Sequence, residues 1–221
     1  MATFAFVHGA WHGGWAWDLV RPELEARGHR VVAPDLPCED VDAGVEEYAA
    51  VLRDALDGVE DAIVVGHSLG GLTIPLVAAR RLVFLCAYVP EPGRALRERG
   101  ADAWGGPGFA ESTVRDELGR SYWPDLDAAA HDLQYPPEAA GLAAKLRRQA
   151  RKPVSDPSPL TALPDVERTF VVCSSDYAIP PDFQRRMARE ELGVEPVELD
   201  TGHSPMLTLP RELAALLDSL S

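Results

Sequence analysis

The fold is decided by residues 62–74, which read Ala-Ile-Val-Val-Gly-His-Ser-Leu-Gly-Gly-Leu-Thr-Ile. The first four residues are apolar and mostly β-branched, which is typical of a buried strand. Glycines interrupt this run, and the apolar spacing that follows predicts a helix over residues 69–80. The stretch therefore predicts a strand, a sharp turn and a helix, with Ser68 at the turn.

Glycines stand two residues before and two residues after Ser68. In so tight a turn the neighbouring backbone leaves no room for a Cβ at Gly66 or Gly70, while the serine accepts the strain. Its Oγ then lies at the start of a helix, where free amides, including that of Leu69, can stabilise negative charge. Ser68 is thus a candidate nucleophile. Because such a five-residue pattern also arises by chance in a Gly-rich chain, its partners must be found elsewhere.

Composition favours one soluble domain spanning residues 1–221, with a smaller insertion. The chain has 221 residues, of which 46% are hydrophobic and 25% are charged, and a chain of this size can bury one sizeable core. Its formal net charge of −14 opposes phosphate backbones and anionic lipid surfaces. We therefore expect neither nucleic acid nor a membrane as a partner.

The N-terminus runs directly into an apolar strand without a basic segment or a cleavage site. No apolar run approaches the ~20 residues that span a bilayer, so we expect a cytoplasmic protein. The three cysteines, Cys38, Cys86 and Cys173, are widely spaced and form no C-x-x-C pair. This predicts buried, reduced thiols and no metal site.

Strand and helix patterns alternate along most of the chain, which predicts parallel strands joined by helical crossovers. The six predicted strands cover residues 3–8, 29–34, 62–65, 82–88, 168–173 and 194–199. The predicted helices between and after them cover residues 18–27, 45–58, 69–80, 183–192 and 211–220.

The alternation stops over residues 89–164, where the sequence predicts an inserted lid that contains a helix from Pro137 to about Arg151. Aromatic side chains in such a cover can exclude water and shape a pocket, or can form the lid's own small core. Our candidate pocket residues are Trp11, Trp104, Phe109, Tyr122 and Trp123.

A serine nucleophile needs a histidine base that is oriented by a carboxylate. Asp176 follows the fifth predicted strand and His203 follows the sixth, so both should meet Ser68 at the carboxyl edge of a parallel sheet. Asp200, three residues before His203, is a rival that the sequence does not exclude, and we rank it lower because it would have to fold back on its own turn to reach the histidine. Among the other histidines, His29 has the pattern of a surface residue.

The loop over residues 8–17 is rich in glycine and tryptophan and follows the first predicted strand. An oxyanion needs two aimed N–H donors, one from the residue after the nucleophile and one from a neighbouring loop. We assign these roles to the amides of Leu69 and Ala10. His8 and His12 lie in the same loop near the sheet edge, and His131 has the pattern of a surface or lid residue.

Four motifs together resemble the α/β-hydrolase superfamily, and more narrowly the small bacterial relatives of the plant methylesterase and hydroxynitrile lyase family. They are the 8–17 loop, the Gly66-His-Ser-Leu-Gly-Gly71 turn, Asp176 after a strand, and Gly202-His-Ser-Pro-Met-Leu207. The resemblance covers nearly the whole chain and is weak only across the lid. It implies an α/β fold with a six-stranded parallel sheet in the order 2-1-3-4-5-6, helices on both faces, a Ser-His-Asp triad and no cofactor.

The same family offers a rival reaction. Its cyanohydrin-cleaving members carry a lysine directly after the catalytic histidine, whereas Ser204 follows His203 here. This departure favours a serine hydrolase that cleaves a small, largely apolar ester through an acyl-enzyme. A non-catalytic protein that binds a small ligand on a hydrolase scaffold is the alternative from another class. The only protein partner that we consider is a second copy of this chain, in a homodimer.

Overall fold

The structure is a computed structural model that describes residues 1–105 and 109–221. Six parallel strands form its main sheet. They are β1 (Thr3–Val7), β2 (Arg30–Val32), β3 (Ile63–His67), β4 (Arg81–Leu85), β7 (Glu167–Cys173) and β8 (Val197–Leu199). Their order across the sheet is β2-β1-β3-β4-β7-β8. Counted along the sheet's own strands this is the order 2-1-3-4-5-6, so the predicted fold class is confirmed.

Alternate residues of the central strands enter two separate cores, one on each face of the sheet, because side chains in a strand point to opposite faces in turn. On β3, Val64 packs into one core, whereas Ile63 and Val65 pack into the other. Helices cover both faces. They are α1 (Arg21–Glu25), α2 (Val45–Ala55), α3 (Leu126–Asp132), α4 (Lys152–Ser155), α5 (Pro181–Arg186), α6 (Pro205–Thr208) and α7 (Pro210–Asp218).

The long helix predicted over residues 69–80 is wrong. Two short 3-10 helices, Ser68–Leu72 and Ile74–Leu76, take its place, and β4 begins soon afterwards at Arg81. Pro75 lies inside the second of them, and a proline has no N–H for a helical hydrogen bond and clashes with the preceding turn. The amide of Arg80 instead donates to Ala62 O, which returns the chain directly to the sheet.

The 89–164 segment lies between β4 and β7. It holds a small antiparallel pair, β5 (Val114–Arg115) and β6 (Ser121–Tyr122), besides α3 and α4. Its 3-10 helices are Leu96–Glu98, Ala101–Ala103, Phe109–Ser112 and Pro137–Lys145.

The predicted helix from Pro137 to Arg151 is therefore shorter than expected. Beyond Lys145, main-chain amides donate hydrogen bonds to carbonyl groups of distant segments. These bonds replace the hydrogen bonds that a continued helix would form. Arg147 N donates to Trp11 O, and Ala150 N donates to Cys38 O.

His29 differs from its surface prediction, since its side chain is buried between Ala2 N and the carboxylate of Asp218. The three cysteines are buried and unpaired, as predicted. Within residues 1–105 and 109–221, no helix combines the length and the apolarity that a membrane crossing needs.

Candidate active site

Ser68 directly follows β3 and adopts a φ of 54°. A positive φ is strained for a residue with a side chain, and here the strain results from close packing on both sides of the turn. A Cβ on Gly66 would lie 2.9 Å from Gly70 O, and one on Gly70 would lie 2.5 Å from Val7 O. The two flanking glycines are thus required by neighbouring backbone, and the turn lifts Ser68 out of the strand.

Ser68, His203 and Asp176 form a continuous hydrogen-bonded chain. His203 Nε2 lies 3.0 Å from Ser68 Oγ, and His203 Nδ1 lies 2.8 Å from Asp176 Oδ2. All three side chains are buried. With its Nδ1–H donated to the carboxylate, the imidazole presents the Nε2 lone pair to the serine hydroxyl, which is the arrangement that proton removal from Ser68 needs.

The Asp176 carboxylate is held by three further donors. Oδ1 accepts from the amides of Ala178 and Ile179 at 2.7 and 2.9 Å, and Oδ2 accepts from Gln184 Nε2 at 2.8 Å. Its rival Asp200 is exposed and accepts a hydrogen bond from Ser174 Oγ at 2.9 Å. The contact with His203 is therefore made by Asp176.

Gln134 forms hydrogen bonds with both of the loops that carry Asp176 and His203. Its Oε1 accepts from the amides of Tyr177 and His203 at 2.8 and 2.9 Å, while its Nε2 donates to Ser175 O at 2.8 Å. A Cβ on Gly202 would lie 2.5 Å from Gln134 Cδ. The sequence does not identify Gln134 as a site residue. Its one hint is Gly202, a glycine before His203, which leaves room for another side chain to pack there.

The two predicted oxyanion donors lie on either side of Ser68. Leu69 is the second residue of a 3-10 helix, where the amides of the first turn have no intrahelical acceptor. The 8–17 loop approaches from the other side, since a Cβ on Gly9 would lie 2.8 Å from Ser68 Cβ. Both Ala10 and Leu69 line the same cavity as Ser68.

Buried His8 fixes the direction of the Ala10 N–H, and buried His12 holds the next carbonyl, Ala10 O. His8 Nδ1 donates to Gly9 O at 2.9 Å, and His12 Nδ1 donates to Ala10 O at 2.8 Å. Because a peptide unit is planar and trans, holding Gly9 O on one side directs Ala10 N–H to the opposite side. Burial lowers the pKa of His8 to about 4 and that of His12 to about 3, so both rings are neutral near pH 7.

His67 hydrogen-bonds to the main chain of His203 and packs against its ring. Its Nε2 donates to the main-chain oxygen of His203 at 2.8 Å, and the two rings lie 4.8 Å apart. Burial lowers the pKa of His67 well below its ordinary value. Donor atoms of His67, His203 and Cys86 lie within 4.8 Å of one another. Cys86 Sγ also points at His203 O, at 3.5 Å, so these groups are engaged with the protein itself.

A cavity of about 340 Å³ opens above Ser68 and His203. Trp11, Trp104 and Phe109, three of the five candidate pocket residues, line it. Tyr122 and Trp123 are not among the described residues that line it. Trp123 is buried 5.4 Å from the Trp11 ring, and Tyr122 lies 4.7 Å below the guanidinium of Arg148.

A serine raised on a tight turn at the carboxyl edge of a parallel sheet, with a histidine and an aspartate from later strands, is the arrangement of an α/β-type hydrolase. The sequence pattern of the alpha/beta hydrolase family matches residues 4–216, and the chain belongs to that family.

Three relatives place the chain more narrowly. Salicylic acid-binding protein 2 of Nicotiana tabacum is 32% identical over 247 residues, covering 97% of this chain and 95% of that protein. Alpha-hydroxynitrile lyase of Arabidopsis thaliana is 33% identical over 250 residues, covering 99% and 95%. The crystal structure of a pyrethroid hydrolase from Sphingobium faniae JZ-2 superposes with a TM-score of 0.84 at 27% identity, covering 99% of this chain and 96% of that one. The protein is therefore a hydrolase whose relatives also include plant methylesterases, and the predicted family is confirmed.

Proposed function

We propose that the protein is a serine esterase that hydrolyses a small carboxylic ester. The observation that carries this proposal is the chain of contacts from Asp176 through His203 to Ser68, with distances of 2.8 and 3.0 Å, at the floor of a cavity of about 340 Å³. Such a cavity suits a small molecule, and such a chain activates a serine hydroxyl.

In the proposed mechanism, Ser68 Oγ attacks the ester carbonyl while His203 Nε2 takes its proton. The amides of Ala10 and Leu69 stabilise the resulting oxyanion. The bond from the carbonyl carbon to the alcohol oxygen then breaks, and His203 returns the proton to the leaving alcohol. Water, activated by the same nitrogen, cleaves the acyl-enzyme and releases the acid.

We further propose that the 89–164 segment acts as a lid over this cavity. It supplies Trp104 and Phe109 to the cavity wall. Aromatic cover of this kind excludes bulk water from the reacting groups, which strengthens the electrostatic stabilisation of the oxyanion.

Cyanohydrin cleavage is the second candidate, and it is favoured by the 33% identity to a hydroxynitrile lyase. The residue after His203 argues against it. Ser204 is fully buried, and its Oγ donates to Leu133 O at 2.6 Å. It therefore offers no positive charge to a departing cyanide.

The test is hydrolysis of short and aromatic p-nitrophenyl esters by the wild type and by Ser68→Ala, run in parallel with cleavage of mandelonitrile. We expect ester hydrolysis that is lost in Ser68→Ala, with little cyanohydrin cleavage. Faster turnover of the cyanohydrin would favour the lyase. Binding of ester without turnover would favour the ligand-binding alternative.

A further inference from the structure

Three arginines line the cavity above Ser68, and no aspartate or glutamate is found among the described residues that line it. Arg97 lies on the 3-10 helix Leu96–Glu98, Arg115 lies on β5, and Arg151 directly precedes α4. Three separate parts of the 89–164 segment thus bring a cation to one cavity. This is unexpected in a chain whose formal net charge is −14.

Most basic side chains of the protein are neutralised by a neighbouring carboxylate. Of 21 lysines and arginines, 14 form a salt bridge within the described part of the chain. The other seven are Arg30, Arg53, Arg80, Arg97, Arg115, Lys145 and Arg151. Three of the seven cations without a salt bridge therefore lie at this single cavity.

The carboxylate next in sequence to Arg115 is already occupied. Asp116 is bound by Arg120 and by Arg148, and these partners hold its pKa well below the ordinary value. Arg115 itself donates one N–H to Gly119 O at 2.8 Å. Because a guanidinium has five N–H donors, most of its hydrogen-bonding capacity is left for a ligand.

Two sets of polar groups from different parts of the chain line the cavity. Ser68, His203 and the amide-bearing residues Ala10 and Leu69 lie just after strands of the main sheet, whereas the arginines belong to the 89–164 segment. Arginine binds carboxylate and phosphate groups in a paired, planar geometry. A ligand whose ester carbonyl lies at Ser68 can therefore extend a second, negatively charged group toward the arginines.

We propose that Arg97, Arg115 and Arg151 form an anion-binding subsite, so that the preferred substrate is an ester with a free anionic group, such as the monoester of a dicarboxylic acid. This inference rests on the proposed esterase function. The reaction is the same hydrolysis: one water is consumed, the acyl carbon to alcohol oxygen bond breaks, and an alcohol and a second carboxylate are formed. The distal anion is unchanged and serves to position the substrate.

The test compares two substrates that differ only in the distal group. p-Nitrophenyl hydrogen glutarate carries a carboxylate, and its primary amide, p-nitrophenyl glutaramate, is neutral and of the same size. We expect wild-type kcat/KM to be about tenfold higher for the anion at low salt, as for a few charge-assisted contacts to exposed arginines. This preference should decrease as ionic strength rises, because salt screens exposed charges.

Three single variants, Arg97→Gln, Arg115→Gln and Arg151→Gln, should each reduce the ratio between the two substrates about twofold to fivefold, because kcat/KM falls more for the anion than for the amide. Arg53→Gln is the matched control. It removes one unpaired arginine that is not among the residues lining the cavity, so it changes net charge equally and should leave the ratio unchanged.

The outcomes separate this inference from the esterase proposal. If both substrates are hydrolysed at equal rates in a Ser68-dependent way, the esterase function holds and the anion subsite is overturned. If neither is hydrolysed, calorimetric titration of Ser68→Ala with the two compounds decides, since tighter binding of the anion supports the subsite without any turnover. Equal affinity for the two compounds overturns the subsite. An equal loss of preference in Arg53→Gln would also overturn it, because the effect would then be one of net charge.

Discussion

Gln134 Oε1 accepts a hydrogen bond from the main-chain amide of His203 at 2.9 Å, across 69 positions of the sequence. The same oxygen accepts from Tyr177 N, and the amide nitrogen donates to Ser175 O. One side chain from the 89–164 segment therefore bonds to both the loop that carries Asp176 and the loop that carries His203.

Replacing Gln134 with leucine removes all three bonds. We expect kcat for a neutral p-nitrophenyl ester to fall about tenfold to a hundredfold with little change in KM, because small displacements of a base reduce rate strongly while the cavity stays intact. Steady-state kinetics measures kcat and KM separately and so tests this expectation. Glu138→Gln, an exposed site on the same segment, should keep wild-type kinetics. Wild-type kcat in Gln134→Leu would refute a positioning role.

Asp176→Asn tests the choice between two carboxylates. An asparagine amide facing the imidazole favours the wrong tautomer of His203, and loss of the corresponding carboxylate in a triad typically lowers kcat by about 10⁴. Asp200→Asn is the matched control, since Asp200 contacts Ser174 and is exposed. We expect it to retain nearly all activity. If the two variants showed the reverse pattern in an ester assay, Asp200 would be the carboxylate.

Gly70→Ala should be strongly destabilising. Its Cβ would lie 2.5 Å from Val7 O and 2.9 Å from His8 O, both of them main-chain atoms, and relief of such a contact requires the backbone to move. Overpacking of this kind typically decreases the free energy of unfolding by about 1–3 kcal/mol or more. Gly141→Ala has open space around its Cβ and should leave stability nearly unchanged in urea unfolding. Equal unfolding midpoints in the two variants would contradict the close packing of the turn.

The buried histidines should make stability depend on pH. In the unfolded chain a histidine binds a proton near pH 6.5, whereas His8 and His12 do so only near pH 4 and pH 3 in the folded protein. Between these values the unfolded state holds more protons, so the free energy of unfolding falls as the pH decreases from about 6.5 to about 4. Each histidine contributes about 1.4 kcal/mol per pH unit within its window.

His12→Gln isolates one of these contributions. We expect its free energy of unfolding, measured with urea at several pH values, to depend less steeply on pH than that of the wild type, by about one proton. The comparison uses the slope, because loss of the contacts with Ala10 O and Tyr135 also lowers stability at every pH. Parallel slopes would mean that His12 titrates normally in the folded protein.

Much of the sheet and part of the site could be predicted from sequence because their signals are local. Val64 and its neighbours form an apolar run, and Ser68 and His203 each follow a predicted strand. The sequence ranked Asp176 above Asp200 but did not exclude Asp200, since the contact with the histidine depends on how two loops fold beside each other. The helix after Ser68 was overestimated because the apolar spacing outweighed the single Pro75.

The residues around Gln134 and around the three cavity arginines in the sequence do not mark any of them as part of the site. Gln134 acts through contacts with residues 41 to 69 positions away, and nothing in its own neighbourhood distinguishes it from a surface glutamine. Arg97, Arg115 and Arg151 become a group only because three separate segments meet. Whether a charge is paired depends on tertiary structure: Arg97 and Arg115 each have a carboxylate next to them in sequence, at Glu98 and Asp116, yet neither forms a salt bridge within the described part of the chain.

The Gln134 contacts bear on how such a hydrolase can be re-engineered. Exchanging the 89–164 segment for that of a relative is an obvious way to transfer substrate preference, yet the exchange would also remove the side chain that joins the loops of Asp176 and His203. A chimera would then bind the new substrate and turn it over slowly. Retaining Gln134, together with the small residue that faces it at Gly202, is therefore a design requirement for any graft of this segment.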